Sequence, residues 1–380
     1  MPHDLNLVTT PTRIYLDHNA STPIAGAVSA AMRPFLDAEY GNPSSGHWAS
    51  NPAKHALEDA RQKVANLLGC TAEEIVFTSG GTEANNLAIL GTWFSRRRRG
   101  NHIITSAVEH DAVRAPVRFL KRLGAKVTIL PVDTAGRVDP DRLRQCITSE
   151  TALVSIMHAN NETGTVQPIE AISKITDAYG VPFHTDAAQS VGKITTRVDQ
   201  LGVDMLSLAA HKFYGPKGVG ALFVRKGMKL EPHNHGAGHE SGQRAGTESA
   251  LLTVGLGAAC DLAASRNYRR VAALRNHFEN QLKAHFGDNI VVNGHPEYRV
   301  PNTLNVSFVN KVGADILAQL DGVAAATGSA CHAGCVDMSP VLIAMRTPVH
   351  VGMGAIRFSL GHQNTQAEID SVVERLGQII

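Results

Sequence analysis

Short apolar runs alternate with amphipathic stretches along the first two-thirds of the chain. EIVFTS, HIITS, KVTILPV, TALVSIMH, VPFHTDAAQ and DMLSLAAHK, followed by GALFVRKG, read as strands, because a brief continuous apolar run suits a strand buried on both faces. Between them TEANNLAILGTWFSRRR, DAVRAPVRFLKRLG, DPDRLRQCI and PIEAISKITDAYG repeat apolar residues at helical spacing. Upstream, helical spacing covers Ala25 to Glu39, and Leu57, Ala60, Val64 and Leu67 form the apolar stripe of a helix over 52–69. Strand–helix alternation of this kind predicts an α/β fold, with a mainly parallel, seven-stranded-type sheet covered by helices on both faces. After a long helix from about Ala250 the pattern changes. IVVNGH, PNTLNVSFV, GADILAQLDG, SPVLIAM and AIRFSLG mix strands and helices in a smaller α+β unit. The expected division is a large domain over 14–258 and a small domain from 1–13 and 259–380.

In such sheets ligands sit beyond the carboxyl ends of the strands. Thr82, His110, Asn161, Asp186 and Lys212 all fall at positions of that kind. Lys212 ends the strand VDMLSLAAH; taken alone, a snorkelling lysine with its head in water is the better reading. Its company changes that. Asp186 closes another apolar strand, and the Gly80-Gly81-Thr82 turn opens a helix. An amine for a Schiff base, a carboxylate for a pyridine nitrogen and free N–H groups for a phosphate are the three requirements of pyridoxal 5'-phosphate.

The chain has 380 residues, 43% hydrophobic and 18% charged, with a net charge of +2, so no strong attraction to nucleic acid or to an anionic membrane is implied. The run Arg96 to Arg99 reads as a solvated helix terminus. Five cysteines, an odd number, do not suggest a disulfide framework. No secretory signal is visible and no apolar run approaches the roughly 20 residues that span a bilayer, so a cytoplasmic location is expected. His233, His235 and His239 lie in a glycine-rich segment, HNHGAGHESGQRAGTES, which reads as a loop over the site; no metal is expected there. The segment ATGSACHAGCVDMSP surrounds Cys331 with small residues, which favours exposure, although a buried small cysteine is the default for the type. His332 beside it is able to lower the thiol pKa, and Cys335 forms a weakly signalled C-x₃-C pair with it. Arg357, in IRFSLG, reads either as a salt-bridge residue or as the bidentate partner of an α-carboxylate.

Taken together, LDHNAST, GNPSSGH, FTSGGTEANN, EHDAV, ANNETG, HTDAAQSVGK, HKFYGPKG, RAGTES, GSAC and IRFSLG resemble the cysteine desulfurases and selenocysteine lyases. These are class V aminotransferase-like, fold-type I pyridoxal-phosphate enzymes, and the likeness runs from about residue 14 to the end of the chain. The resemblance implies that Lys212 carries the cofactor, His110 stacks on its ring, Asp186 pairs with its nitrogen and Gln189 bonds its phenolic oxygen. Gly81, Thr82 and His211 are implied at the phosphate, joined by Thr247 from the other subunit of a homodimer. Asn161, beside the cofactor, and Arg357 are implied to bind the substrate carboxylate. Cys331 is implied as the nucleophile that takes sulfur from L-cysteine, leaves alanine, and passes a persulfide to an acceptor protein such as one of iron–sulfur assembly. Two departures stand out. Ala209 and Ala210 replace a serine common before the lysine, which removes one phosphate hydrogen bond, and His239 stands where glutamine is usual. GSACHAG resembles the selenocysteine lyases as much as the desulfurases, so L-selenocysteine is the alternative substrate. A low-activity sulfur-carrier scaffold is the alternative from a different class.

Overall fold

In the computed structural model, residues 13–328 and 337–380 are described in full, and of the stretch between them only the backbone of residues 331, 332, 335 and 336. After β1 (Ile14–Tyr15), seven strands form one sheet: β2 (Ile75–Thr78), β3 (His102–Ser106), β4 (Lys126–Leu130), β5 (Thr151–Ser155), β6 (Phe183–Asp186), β7 (Met205–Ala209) and β8 (Gly220–Val224). Their order is β2-β8-β7-β6-β5-β3-β4. All pairs are parallel except those of β8, which runs antiparallel to both neighbours. The reason is the link Phe213–Val219, too short for a crossover connection, so the chain has to turn straight back. Every strand of the sheet is buried throughout except edge strand β4, where Ile129 is exposed. The near-continuous apolar runs follow from that burial.

The helical stretch expected over 25–39 is broken into Gly26–Met32 and Pro34–Asp37, because Pro34 has no N–H to continue the ladder. The next helix spans Asn51–Leu68 and stops at Gly69, whose φ of 72° is the left-handed cap. Its buried stripe ends at Leu68, with Leu67 only partly covered.

A second core lies between helices Arg269–Phe286 and Gln366–Ile379 and a small antiparallel sheet. That sheet is built from β9 (Ile290–Asn293), β10 (Thr303–Phe308) and β14 (Ala355–Ser359), in the order β14-β10-β9. Two short pairs complete the strand set. β11 (Val323–Ala324) runs parallel to β1, and β12 (Cys331–His332) runs antiparallel to β13 (Cys335–Val336). Ile14 and Leu16 pack in this second core rather than with the large sheet. At the other end, residue 258 falls inside the helix Ala250–Ser265, whose Leu256, Ala259 and Cys260 pack in the first core. Among the described residues no helix is long and apolar enough to cross a membrane.

The segment from Leu16 to Thr22 threads between the two cores. On one side His18 N–H donates to Ser359 O (3.2 Å) and Asn19 N–H to Ser359 Oγ (2.9 Å). On the other, Thr22 N–H donates to His211 O (2.9 Å). Its middle residues therefore form a wall shared by both halves.

Candidate active site

The carboxyl ends of β5, β6 and β7 open into a cleft of about 380 Å³. Gly81, Thr82, His110, Asn161, Asp186, Gln189, His211, Lys212 and Arg357 all line it. Nine residues scattered over nearly the whole chain thus meet in one place.

Lys212 closes a single helical turn, Ala210–Lys212, directly after β7. Its Nζ donates to the backbone carbonyls of Asn19 (2.7 Å) and Ala20 (3.0 Å), and among the described residues no carboxylate bonds it. Burial, and then the charge of Arg357, lower its pKa to about 8, against the weaker opposing pull of Asp186 and Asp17. A lysine of that kind has a sizeable free-amine fraction near neutrality. Asp186 ends β6, buried, with Oδ2 accepting from Asn85 Nδ2 (2.7 Å) and Oδ1 from Ala188 N–H (2.9 Å). Both bonds fix the carboxylate plane. The reading of Lys212 as a snorkelling surface residue therefore fails, since its head points inward.

His110 caps the helix Asp111–Arg122: its Nδ1 accepts from Ala112 N–H at 3.1 Å. That bond leaves any proton of the neutral ring on Nε2. In the same cleft the helix Gly81–Arg96 begins with three backbone N–H groups, on Gly81, Thr82 and Glu83, that meet no acceptor among the described residues. Together with the helix dipole they make an anion site. The turn fits only because side chains are missing. A Cβ on Gly220 would lie 2.4 Å from Leu208 O and 2.8 Å from Gly80 Cα, and one on Gly81 would sit 3.3 Å from Ala209 Cβ. Ala209 therefore lies directly under the turn. His211 joins this end, with Nδ1 3.4 Å from Ser21 Oγ, and burial followed by the charges of Lys212 and Lys217 lowers its pKa to about 4. It is a neutral ring at physiological pH.

Arg357 on β14 brings the second core to the cleft. Its Nη2 pairs with Asp17 Oδ1 (2.7 Å) and Nη1 donates to Asn161 O (3.1 Å), while the buried Nε has no acceptor among the described residues. The salt bridge of the first sequence reading is present, with Asp17 as its partner. Arg357 also exchanges two backbone hydrogen bonds with Ala326, at 2.7 and 3.2 Å. The segment leading to Cys331 thus starts beside the arginine. The Cys331, His332 and Cys335 side chains lie outside the described residues.

Thr247 is exposed and does not line the cleft. Its loop is tied down at two points before it: Arg244 Nε pairs with Glu83 (2.8 Å), and Glu240 takes a two-pronged ion pair from Arg61, both contacts 2.7 Å. Among the described residues no three metal-ligating side chains, those of His233, His235 and His239 included, converge on a point.

Four residues escaped the sequence reading of the site. Asn19 bridges the halves, Lys193 lies beneath Gln189, and Glu109 and Glu162 are buried carboxyls. Burial raises Glu109 to about 8 even though it accepts from Ser106 Oγ (2.5 Å) and Met157 N–H (3.0 Å). Burial likewise raises Glu162 to about 7; it accepts from Ser339 Oγ (2.5 Å), and its carboxylate fills the space a Cβ on Gly328 would need. Adjacency to His110 and Asn161 was the only signal either glutamate gave.

Residues 14–372 match the family Aminotransferase class-V. A protein of Dictyoglomus turgidum described as cysteine desulfurase IscS is 46% identical over 372 residues, covering 97% of this chain and 94% of its own. One of Methanosarcina thermophila with the same description is 43% identical over 384 residues, covering 99% and 94%. Among solved structures a NifS-like protein is similar with a TM-score of 0.90 at 36% identity, over 97% of this chain and 99% of its own. A structure described as SspA in complex with cysteine is similar with a TM-score of 0.83 at 37% identity, over 92% and 99%. With this fold, this order of residues around the cleft and likeness over nearly the full length, the chain belongs to the class V aminotransferase family, among the cysteine desulfurases.

Proposed function

We propose that this protein is a pyridoxal-phosphate-dependent cysteine desulfurase. It would convert L-cysteine to L-alanine, leave the sulfur as a persulfide on Cys331, and pass it to an acceptor protein. The observation that carries the reading is the half-buried amine of Lys212, resting on backbone carbonyls and sharing one cleft with the fixed carboxylate of Asp186 and the open start of the helix Gly81–Arg96.

The residues present fit the cofactor. Three unpartnered N–H groups at Gly81, Thr82 and Glu83 suit a phosphate, with the Thr82 hydroxyl and the neutral His211 ring beside them. Asp186, held by two donors, suits a protonated pyridine nitrogen, and Gln189 suits the phenolic oxygen. Bound there, the cofactor supplies an electron sink for charge developing at the substrate α-carbon.

The chain's own groups do the rest. Arg357, through its unpaired Nε, and Asn161 orient the substrate carboxylate. Lys212 Nζ, as a free amine, takes the α-proton and later returns one toward the methyl carbon of alanine. His110, with Nε2 as its available donor, serves as the acid or base beside it. Cys331 thiolate attacks the substrate sulfur: a sulfur–sulfur bond forms, the carbon–sulfur bond breaks, and its electron pair goes to carbon, which is then protonated. A homodimer is part of this reading: Thr247, exposed in one protomer, would serve the phosphate of its partner. Sedimentation of a fully active monomer would overturn that part.

Borohydride trapping tests the whole. After loading with pyridoxal phosphate and reduction, the tag is expected on the peptide containing Lys212. If loading of the cofactor-free chain is timed across pH, its rate is expected to rise about tenfold per unit below pH 8 and then level off, because the free amine is the reacting form. A tag on any other residue, or none, sinks the assignment.

A further inference from the structure

Below the floor of the cleft lies a second lysine that the reaction described above does not use. Lys193 follows β6 in the turn QSVGK and is 8% exposed. Its Nζ meets only amide oxygens: Gln189 Oε1 at 3.1 Å and Asn19 Oδ1 at 3.4 Å. Among the described residues no carboxylate pairs with it. Burying a lysine head without a counter-ion is costly, and such residues are rarely found fully covered.

The two amides it touches both reach the cleft. Gln189 Nε2 donates to the backbone carbonyl of Asn19 (3.0 Å), and that same carbonyl accepts from Lys212 Nζ (2.7 Å). A backbone carbonyl can only accept, and a lysine ammonium can only donate. The Gln189 amide therefore has one allowed orientation, with its oxygen down on Lys193 and its NH₂ up. One N–H is used on Asn19, and the other is left for a ligand in the cleft that Gln189 lines. Asn19 is turned the same way. Its Oδ1 accepts from Lys193 and from Asn302 Nδ2 (3.0 Å), and its Nδ2 donates to Thr303 Oγ1 (2.7 Å) and Asn161 O (3.1 Å).

We propose that Lys193 is a positioning residue: by holding the side-chain oxygens of Gln189 and Asn19 it aims the free N–H of Gln189 into the cleft and sets the carbonyl on which Lys212 rests. The inference rests on the cofactor reading above, since the ligand of that N–H is the cofactor's phenolic oxygen. The charges around the pair agree with it. Lys212 faces Arg357, Asp186 and Asp17, while Lys193 faces Lys212, Arg357 and His18. Burial first, then Lys212 and Arg357, bring Lys193 to about 7, so part of a second positive charge sits behind the reacting amine near neutrality.

The test is the visible absorbance of the cofactor-loaded homodimer, titrated with pH for the unaltered protein and for Lys193→Met. Losing a positive centre and loosening a donor to the phenolic oxygen both favour the protonated form of the lysine–cofactor link. The midpoint is therefore expected to move up by about half a unit or more, with kcat lowered and KM for cysteine little changed. In a Gln189→Leu background Lys193→Met is expected to add only the smaller charge effect, because its main action passes through that amide. Should Lys193→Met fail to fold, Lys193→Gln, neutral and shorter, is read the same way and is expected to shift in the same direction. Stability lost in urea with the midpoint unmoved overturns the proposal, and so does a full shift that persists without Gln189. Absence of any visible band in the loaded, unaltered protein is a different failure: it removes the cofactor reading itself, and this inference with it.

Discussion

Replacing Lys212 with alanine is expected to lower cysteine turnover by about 10³-fold or more, because in the proposed mechanism one atom, Nζ, would be both the point of attachment and the proton carrier at the substrate α-carbon. The fold should survive. Among the described residues Lys212 Nζ bonds the carbonyls of Asn19 and Ala20, and removing a half-buried ammonium relieves the desolvation that lowers its pKa. The variant is therefore expected to unfold at a urea concentration equal to or above that of the unaltered protein while producing almost no alanine. Lys212→Arg keeps charge without a usable free base, so it should be as inactive as the alanine variant. Alanine release close to the unaltered rate from either variant would show that the amine has no part in the chemistry.

Cys331→Ser is expected to separate two substrates. With L-cysteine, sulfur has to be taken by a nucleophile. A serine hydroxyl at neutral pH is a poor substitute for a thiolate, so the rate should drop on the order of 10²–10³-fold and no persulfide should be seen by mass spectrometry of the intact protein. With L-selenocysteine the weaker carbon–selenium bond and the better leaving selenolate make that attack less necessary, and the larger part of the activity should remain. Equal loss on both substrates would mean that Cys331 acts in a step common to the two, such as positioning or protonation, and would remove it from the sulfur-transfer role.

The large sheet was legible in the sequence because its strands are buried on both faces and read as unbroken apolar runs between amphipathic helices. The cleft was legible for a related reason: in such a sheet polar residues gather where strands end, and Asp186, Lys212 and the turn at Gly80 stand at those points. The antiparallel course of β8 was present only in the shortness of the link before it. Pairing across the whole chain left no periodic trace. Ile14 and Leu16 have the pattern of any short strand, and nothing local assigns them to the second core. Lys193 looks like an ordinary lysine after a glycine, since its burial is set by Asn19, which lies 174 residues away in the chain. The raised carboxyls of Glu109 and Glu162 are likewise products of packing, invisible to any reading of charge along the chain.

The wall formed by Leu16 to Thr22 also bears on how the protein comes into being. Asn19 leaves the ribosome well ahead of its partners: its N–H waits for Ser359 Oγ, 340 positions later, and its carbonyl for Lys212. A nascent chain can complete most of the large sheet before β14 has been made, but not the support on which the reacting amine rests. Premature termination anywhere before residue 359 should thus yield a product that is folded in part and unable to retain its cofactor, so that synthesis of β14 is a late step of active-site assembly.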